Sequence, residues 1–391
     1  MNQSEALETL EKVLRHASAD TVVATLSGEA SSATRMADNV ITQNVRCSSV
    51  HLYVECAYGL SHGGASTDDL SADALLATVQ RAQAIAKVSP PDPEYMPPVE
   101  APESRKYLQV RGYADATAGF SPQDKAGQLA AAARQVQAAG MRLSGGYPSG
   151  AYFQALANSA GLRAYHAWTE ANIHATVLAP AGSGWAETVC HDTAGINVEQ
   201  TVEAKATDEE RTYLRGKLGT KVFGDRITIR SDPAASRCPG TPFQGDGLAS
   251  LALPWVENGV VRNLCYSRYW AKKQGKQPTG WPSNLLMEGG DATVEQMIAT
   301  MKRGLLITRF WYIRHVDPMI PLLTGMTRDG LFLVENGKVT RPVQHMRFNE
   351  NMVDMFNRVE MLGQVVRTSE YPLLAPALKV KAFNFTSTTK F

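Results

Sequence analysis

The sequence lacks the features that mark secreted, membrane-spanning or nucleic-acid-binding proteins. Its 391 residues contain five cysteines and no CxxC pair, which argues against a disulfide scaffold and favours a reducing compartment. The longest apolar run, 248–256, has about nine residues, far fewer than the roughly 20 that a membrane helix needs. Thirty-nine basic and 38 acidic residues give a net charge of +1, whereas dedicated nucleic-acid binders are usually clearly basic.

The N-terminal residues 1–20 are polar and contain no apolar segment of the signal-peptide type. Hydrophobic residues make up 44% of the chain and charged residues 20%, as in ordinary globular proteins. We therefore expect a folded, soluble protein of the cytoplasm that binds neither membranes nor nucleic acid directly.

Common catalytic and metal-binding signatures are also missing. No histidine is followed by glutamate, so HExxH and HExxxH are both absent, as are GxSxG, Walker A and GxGxxG. Cys190 and His191 are adjacent, and adjacent strand residues point to opposite faces and seldom ligate one ion. We predict no catalytic and no metal-ligating residue. A cryptic hydrolase site around Cys190, His191 and Asp246 remains an alternative.

Helical and strand patterns alternate in the first half of the chain. Apolar spacing predicts helices at 4–16 and 71–88, and Ser121-Pro122 is a typical helix start. The stretch 20–64 predicts short antiparallel strands, and 141–190 predicts further strands, including a long one at 161–180 and a turn at Pro148-Ser149-Gly150. The second helix is expected to bury four apolar side chains, Leu75, Leu76, Val79 and Ile85.

The second half is dominated by strand and turn signals. Residues 198–218 have a helical composition, and a further helix is predicted at 352–362 before a closing strand at 377–387. Asn-Gly pairs at 258–259 and 336–337, flanked by β-branched residues, are strong hairpin signals.

These patterns predict an α+β protein, with mixed α/β layers and an antiparallel sheet in the N-terminal part and a β-rich C-terminal domain. Six prolines between 90 and 102 interrupt both helix and strand. The expected organisation has four parts, namely an N-terminal α/β subdomain (1–90), a Pro-rich connection (91–120), a central α/β subdomain (121–220) and a β-rich C-terminal domain (221–391).

One predicted strand, RFWYIR beginning at Arg309, carries side chains that are typical of binding surfaces. Arginine, tryptophan and tyrosine are enriched at binding hot spots. In a regular strand, Trp311 and Tyr312 should point to opposite faces. We expect Arg309, Trp311 and Arg314, together with Arg328, to contact a peptide or a partner protein. The alternative is a strand that is buried on both faces and charged at its ends.

Five spaced segments occur in an order that resembles one family. They begin SSATRMADN, GGASTDDLS, LRGKLGTKV, GTPFQGDG and KRGLLITRF, and they span 31–44, 63–95, 214–233, 240–281 and 302–343. They are similar to segments of the TldD/TldE (PmbA) proteins, known as modulators of DNA gyrase and as metallopeptidase subunits. The resemblance covers most of the chain.

The resemblance implies two kinds of chain, of which one binds zinc and the other does not. TldD-type chains carry HExxxH with a further cysteine ligand and bind zinc, whereas TldE-type chains lack these ligands and pair with a TldD partner. The absence of HExxxH places this chain on the TldE side. The sequence differs from the family pattern at two places. Residues 202–215 lead almost directly into the GKLG segment, whereas the family has its metal-binding helix before that segment. At 243–247 the sequence FQGDG stands where the family has the more acidic FDDEG.

The implied function is that of a TldE-like subunit, inactive alone, in a cytoplasmic zinc metallopeptidase complex that cleaves unfolded or small peptides. The implied partner is a TldD-type subunit in a heterodimer, with a homodimer when the chain is alone. Zinc is expected in the partner, and no cofactor in this chain. Two alternatives remain, a self-sufficient hydrolase and a non-enzymatic peptide-binding scaffold.

Overall fold

The computed structural model describes residues 1–180, 182–193, 217–317, 320–368 and 371–389. About 21% of the described residues are in helices and 44% in strands, which confirms the α+β class. In the described residues the helices are α1 Gln3–His16, α2 Ala72–Val88, α3 Asp115–Ala118, α4 Pro122–Ala138, α5 Arg268–Lys273, α6 Val294–Ala299 and α7 Met352–Asn357, with a 3-10 turn at Ala101–Lys106. None of these helices is long and apolar enough to cross a membrane.

The N-terminal half is built on one antiparallel six-stranded sheet with the order β3-β2-β1-β4-β5-β6. Its strands are β1 Thr21–Ala37, β2 Val40–Tyr58, β3 Ser61–Thr67, β4 Arg142–Asn158, β5 Arg163–Ala179 and β6 Gly182–Cys190. The sheet combines strands from the predicted N-terminal and central subdomains, so β1–β3 and β4–β6 lie in one layer. The division into subdomains itself stays a prediction.

Helices α1, α2 and α4 cover one face of this sheet. Leu10 and Val13 of α1 pack in a common core with Leu26 and Leu52 of the strands, all essentially without solvent contact. Each such side chain contributes about 1.5–3 kcal/mol when it leaves water. Among the described residues no such helix covers the opposite sheet face, which contacts the C-terminal half.

Helix starts were predicted well because capping is local. Ser121 caps α4 with Pro122 at the first helical position, and Asp124 completes a capping box. Helix α2 begins after Ser71 as expected, but the prediction that it buries four apolar side chains is wrong for two of them. Leu76 is 36% exposed and Ile85 is 44% exposed, because the helix is buried along a narrower stripe than its apolar composition indicates.

The strands predicted to be short at 20–64 are in fact long, whereas the long strand predicted at 161–180 is confirmed as β5. The pair β1 and β2 continues through one hairpin, whose turn residues Asp38 and Asn39 both have positive φ. The predicted turn at Pro148-Ser149-Gly150 is wrong, since these residues lie inside β4. The β4–β5 ladder is interrupted between Gly146 and Ser149, and such an irregularity accommodates a proline within a sheet.

The C-terminal half contains three smaller sheets. Their orders are β17-β18-β10-β7-β8-β9, β11-β14-β15 and β12-β13-β16-β19. The strands are β7 Ile229–Ser231, β8 Leu253–Glu257, β9 Val260–Val261, β10 Leu285–Met287, β11 Arg303–Ile307, β12 Phe310–Asp317, β13 Leu322–Thr327, β14 Leu331–Glu335, β15 Lys338–Pro342, β16 Met346–Asn351, β17 Val359–Thr368, β18 Leu373–Val380 and β19 Phe385–Thr388.

Both Asn-Gly hairpins are confirmed. Asn258 and Gly259 join β8 to β9, and Asn336 and Gly337 join β14 to β15, all four with positive φ. The helix predicted at 352–362 is shorter, because the chain leaves α7 and enters β17 within this segment. The helix predicted at 198–218 lies mostly outside the described residues, as does the segment compared with the family's metal helix.

Two contacts fix the C-terminal half against the uncovered face of the six-stranded sheet. Phe243 packs into a small core with Leu156 and Leu162. Arg367 of β17 donates from Nη2 to the Glu170 carboxylate of β5 over 2.9 Å, and its side chain is only 8% exposed. The junction between the two halves therefore holds apolar packing as well as a buried ion pair.

Candidate functional site

Three arginines stack on aromatic rings at one edge of this junction. The Arg309 guanidinium lies 4.5 Å from the ring centre of Trp185, and Arg328 lies 4.4 Å from that of Trp311. Arg314 lies 4.6 Å from the ring centre of Tyr312. We call this group, with Asp329, the arginine–aromatic patch. Each stacked pair contributes about 0.5–1 kcal/mol at an exposed site.

Asp329 organises the patch from a tight turn between β13 and β14. Its carboxylate oxygen Oδ2 accepts from Arg309 Nη1 over 3.2 Å and lies 3.7 Å from Arg328 Nε. Asp329 has a φ of +50°, which aspartate tolerates better than most residues. The Thr308 hydroxyl donates to the Asp329 carbonyl over 2.7 Å and holds the turn. One carboxylate thus fixes two of the three guanidinium groups.

A β-bulge sets the direction of the aromatic side chains. In β12, Trp311 faces Met326 and Arg314 faces Thr324, so two residues lie opposite Gly325 alone. Tyr312, within the bulge, has a φ of +57°, a strained conformation for an aromatic residue. The prediction that Trp311 and Tyr312 point to opposite faces is therefore wrong, since their rings lie only 5.4 Å apart.

Gly325 permits this arrangement. A Cβ at this position would lie 2.8 Å from the Phe348 ring and 3.3 Å from the Trp311 carbonyl oxygen. Only glycine allows the two neighbouring strands to approach so closely at the bulge. The bulge leaves both aromatic rings in solvent, with Trp311 39% and Tyr312 54% exposed.

The patch also has an open backbone edge. Strand β12 is the outer strand of its sheet, so in the described part of the chain no strand pairs with its free side. Extended peptides commonly bind by adding a strand at such an edge. The Arg314 guanidinium stacks on Tyr312 and is free of carboxylate partners in the described residues, which leaves its hydrogen-bond donors available.

The structure brings together the four residues that the sequence predicted as contacts, Arg309, Trp311, Arg314 and Arg328. Sequence reasoning missed Trp185, which comes from β6 in the other half of the molecule, and Asp329. The Asp-Gly pair at 329–330 was a turn signal that could have been noticed. No sequence signal pointed to Trp185.

A second group of side chains lines the uncovered sheet face. The rings of His166 and Tyr152 both stack on Trp168, each at 5.7 Å between ring centres. Burial lowers the pKa of His166 to about 4, so its ring is neutral at pH 7. Its Nε2 atom is buried and has no hydrogen-bond partner among the residues that the structure describes. His166 and His174, eight residues apart in β5, share this face.

The cryptic hydrolase trio is not assembled. Burial raises the pKa of the Cys190 thiol to about 11, which makes it a poor nucleophile near neutral pH, and burial lowers the pKa of His191. Asp246 lies in a separate turn, where its carboxylate accepts from the Leu248 N–H and lies 3.7 Å from Arg268. These contacts fit a structural role for each residue.

The described residues do not form a zinc site. No group of three histidine, cysteine, aspartate or glutamate side chains within them is close enough to hold a metal ion. A cleft of about 670 Å³ between β7, β10 and β17 is lined by paired charges such as Arg230 and Asp232, 3.3 Å apart, and none of the four predicted contact residues lines it.

Comparison with known proteins identifies the family. A family model described as the PmbA/TldA metallopeptidase C-terminal domain matches residues 159–387, more than half of the chain. The chain belongs to the PmbA/TldD family. The expected resemblance is thus confirmed, and it includes the segments that carry the arginine–aromatic patch.

Individual relatives agree with this assignment. Metalloprotease PmbA of Escherichia coli O157:H7 is 26% identical over 179 residues, covering 43% of this chain and 39% of that protein. A metalloprotease of Archaeoglobus fulgidus is 29% identical over 196 residues, covering 49% of this chain and 42% of that protein. The alignments therefore span less than half the length of these two PmbA/TldD relatives.

The fold also matches a solved PmbA/TldD family structure. TldE from Thermococcus kodakarensis superposes with a TM-score of 0.84 over 98% of this chain and 99% of that chain. The two sequences are 16% identical, so the match concerns the fold alone.

Proposed function

We propose that this PmbA/TldD family chain is a non-catalytic, TldE-like subunit of a cytoplasmic zinc metallopeptidase complex that cleaves unfolded or small peptides. The observation that carries the proposal is family membership combined with a sequence that has no HExxxH and no other histidine followed by glutamate. The lack of a three-residue ligand group within the described ranges supports it.

The division of work follows from the chemistry of zinc hydrolysis. A catalytic zinc site uses about three protein ligands and a polarised water, and a TldD-type partner with HExxxH would supply these. This chain would contribute a wall of the substrate cleft and orient the peptide. The complex is then a heterodimer in which neither chain alone is fully active.

The arginine–aromatic patch is the surface that we assign to this contact. Its open β12 edge offers backbone donors and acceptors, and Trp311 and Tyr312 offer exposed aromatic area at low cost in side-chain entropy. Arg314 can bind a carboxylate of the peptide or the partner, since within the described ranges its guanidinium contacts the Tyr312 ring and pairs with no carboxylate.

The test is reconstitution with a TldD-type HExxxH chain encoded in the same genome. We expect the two chains to co-elute from a sizing column and the mixture to hydrolyse an unstructured peptide faster than the partner alone. Arg314→Ala should weaken the complex or raise KM. Arg262→Ala is the control, because Arg262 is also exposed but pairs with Glu257 away from the patch.

Failure of the chains to form a complex would overturn the proposal. Stoichiometric zinc and hydrolysis by the isolated chain would instead support a self-sufficient hydrolase. Unaltered complex formation and KM in Arg314→Ala would remove the patch from the contact without affecting the assignment as a subunit.

A further inference from the structure

A serine and a lysine are in direct contact where α4 packs on β1. The Lys125 ammonium group donates to the Ser32 hydroxyl over 2.6 Å and to the Ser32 carbonyl oxygen over 2.8 Å. In enzymes with a hydroxyl nucleophile, an adjacent base within about 2.6–3.2 Å activates the hydroxyl, and lysine is the base in one class of them. The two residues are 93 positions apart, so no sequence motif joins them.

The surroundings of Lys125 favour the loss of its proton. Its side chain has no solvent exposure, and its ammonium group lies 5.9 Å from the centre of the Phe120 ring. The neighbouring Asp124 carboxylate accepts from Ser121 at the start of α4 and does not pair with Lys125. Burial and, to a smaller extent, the charge of Arg46 lower the pKa of Lys125 to about 8. Lysine bases in active sites are tuned to about 7–8 in the same way.

Loss of this proton reverses one of the two hydrogen bonds. The charged ammonium group donates to both oxygens of Ser32. The neutral amine keeps one donor on the carbonyl oxygen and presents its lone pair to the hydroxyl. The Ser32 hydroxyl then donates to Lys125 Nζ, which is the arrangement that general-base catalysis requires. The carbonyl contact holds the amine in place in both states.

The Ser32 hydroxyl lies on a strip of the sheet between two helix-covered cores. On this face α1 and α2 cover the core that contains Leu26, and α4 covers the separate core that contains Met36. Between these two positions β1 carries Ala30 and Ser32 on the same face. Ala30 is exposed and Ser32 is partly exposed, whereas Lys125 is closed off from water. A small substrate can therefore reach the hydroxyl while the base stays shielded.

Arg46 of β2 supplies a cation on this face. It lies directly opposite Ser32 in the β1–β2 ladder, and opposed residues of neighbouring strands point to the same face. Its side chain is exposed, and among the described residues it pairs with no carboxylate. A guanidinium group in this position can stabilise the negative charge that develops on a carbonyl oxygen attacked by Ser32.

The position of β1 within the sheet limits the class of substrate. It pairs with β2 on one side and with β4 on the other, so an extended peptide cannot add to it as a strand. The accessible strip is also narrow, because helices cover the sheet on both sides of it. These two features favour a small ester over a peptide.

We propose that Ser32 is the nucleophile, Lys125 the general base and Arg46 the oxyanion-binding group of an acyl-transfer site for small carboxylic esters. Ser32 Oγ bonds to the acyl carbon as its proton moves to Lys125 Nζ. The bond between the acyl carbon and the alcohol oxygen then breaks, and the alcohol leaves with that proton. Water attacks the acyl-serine next, gives its proton to Lys125 Nζ and releases the carboxylic acid as the proton returns to Ser32 Oγ.

The first test is labelling of the isolated, chelator-treated chain with a fluorophosphonate, which bonds to activated serines and releases fluoride. Mass spectrometry of the digested chain locates the label. We expect it on Ser32 in the wild type and in Ser48→Ala, and on neither Ser32→Ala nor Lys125→Met. Ser48 is the matched control, because it is exposed on the same face of the neighbouring strand. An unlabelled Ser32 in the wild type, or equal labelling in Lys125→Met, would overturn the proposal.

The second test is the pH dependence of p-nitrophenyl acetate hydrolysis by the same chelator-treated chain. The value of kcat/KM should rise with pH and reach half its maximum near pH 8, because only the neutral Lys125 amine accepts the proton. Of the groups around it, Arg46 keeps its charge and burial raises the pKa of Tyr147. Ser32→Ala and Arg46→Ala should each lower kcat/KM about 100-fold. A flat pH profile, or an unchanged kcat/KM in Ser32→Ala, would contradict the assignment.

This ester chemistry uses no zinc and does not depend on the metallopeptidase assembly. Hydrolysis of p-nitrophenyl acetate should therefore persist in the chelator and without a partner chain. Loss of the hydrolysis on chelation would overturn the assignment to Ser32, whereas failure of the chain to bind a TldD-type partner would leave it intact.

Discussion

Lys125 provides a sharp test of how α4 packs on the sheet. This side chain has no solvent exposure, and its ammonium group donates to the carbonyl oxygen and the hydroxyl of Ser32 over 2.8 and 2.6 Å. No carboxylate pairs with it among the described residues. Burial, with a smaller contribution from Arg46, lowers the pKa of Lys125 from 10.5 to about 8.

The sign of the effect on stability follows from proton binding. The unfolded chain holds the Lys125 proton up to about pH 10.4, whereas the folded chain loses it near pH 8. Between these values unfolding takes up a proton, so stability rises with pH. A pKa drop from 10.5 to about 8 corresponds to about 3 kcal/mol in the free energy of unfolding.

The perturbation is Lys125→Met, which keeps the length of the side chain and removes the charge. Urea unfolding monitored by circular dichroism should show the variant gaining most over wild type at pH 7. This advantage should shrink by about 3 kcal/mol as the pH rises past 10.5. Lys12→Met on exposed α1 controls for the loss of one lysine. A constant difference between Lys125→Met and wild type from pH 7 to 11 would refute the reasoning.

Three further predictions concern strain, acid stability and the patch. Tyr312→Gly should have a free energy of unfolding about 1 kcal/mol higher than that of Tyr312→Ala, because both variants lose the ring and only glycine accepts the φ of +57° without strain, and both should weaken complex formation; equal stability of the two variants would contradict the strained bulge. As the pH falls from 6.5 to 4, the unfolded chain binds a proton at His166 before the folded chain does, so the free energy of unfolding of the wild type falls. His166→Gln should reduce this fall, and an unchanged acid-unfolding curve would argue against burial of His166. Asp329→Asn removes the charge that pairs with Arg309 and Arg328, so thermal unfolding should show a loss of about 1 kcal/mol in the free energy of unfolding. An unchanged free energy would show that the turn alone holds the two arginines.

Much of the local structure could be predicted because its signals are local. The cap at Ser121 and the hairpin turns at Asn258 and Asn336 depend on residues within a few positions of each other. The long strands could not be predicted in the same way. Pro148 is a turn signal by its own chemistry, and only the irregular ladder beside it allows β4 to continue.

The candidate site shows the same limit. The residue types around Trp311 indicated a binding surface. The two-residue repeat of a regular strand, however, placed the rings of Trp311 and Tyr312 on opposite faces. The bulge that brings them together depends on the close approach of Gly325 to Phe348, a contact between strands. Trp185 joins the patch from β6, far along the chain, through tertiary packing.

The proposed function requires that this PmbA/TldD family chain has no catalytic zinc of its own. Its most direct test is the metal content of the isolated chain, purified without chelators and measured together with peptide hydrolysis. The account predicts zinc far below one ion per chain and no hydrolysis until a TldD-type chain is added. One tightly bound zinc per chain, with hydrolysis that a chelator abolishes, would contradict it.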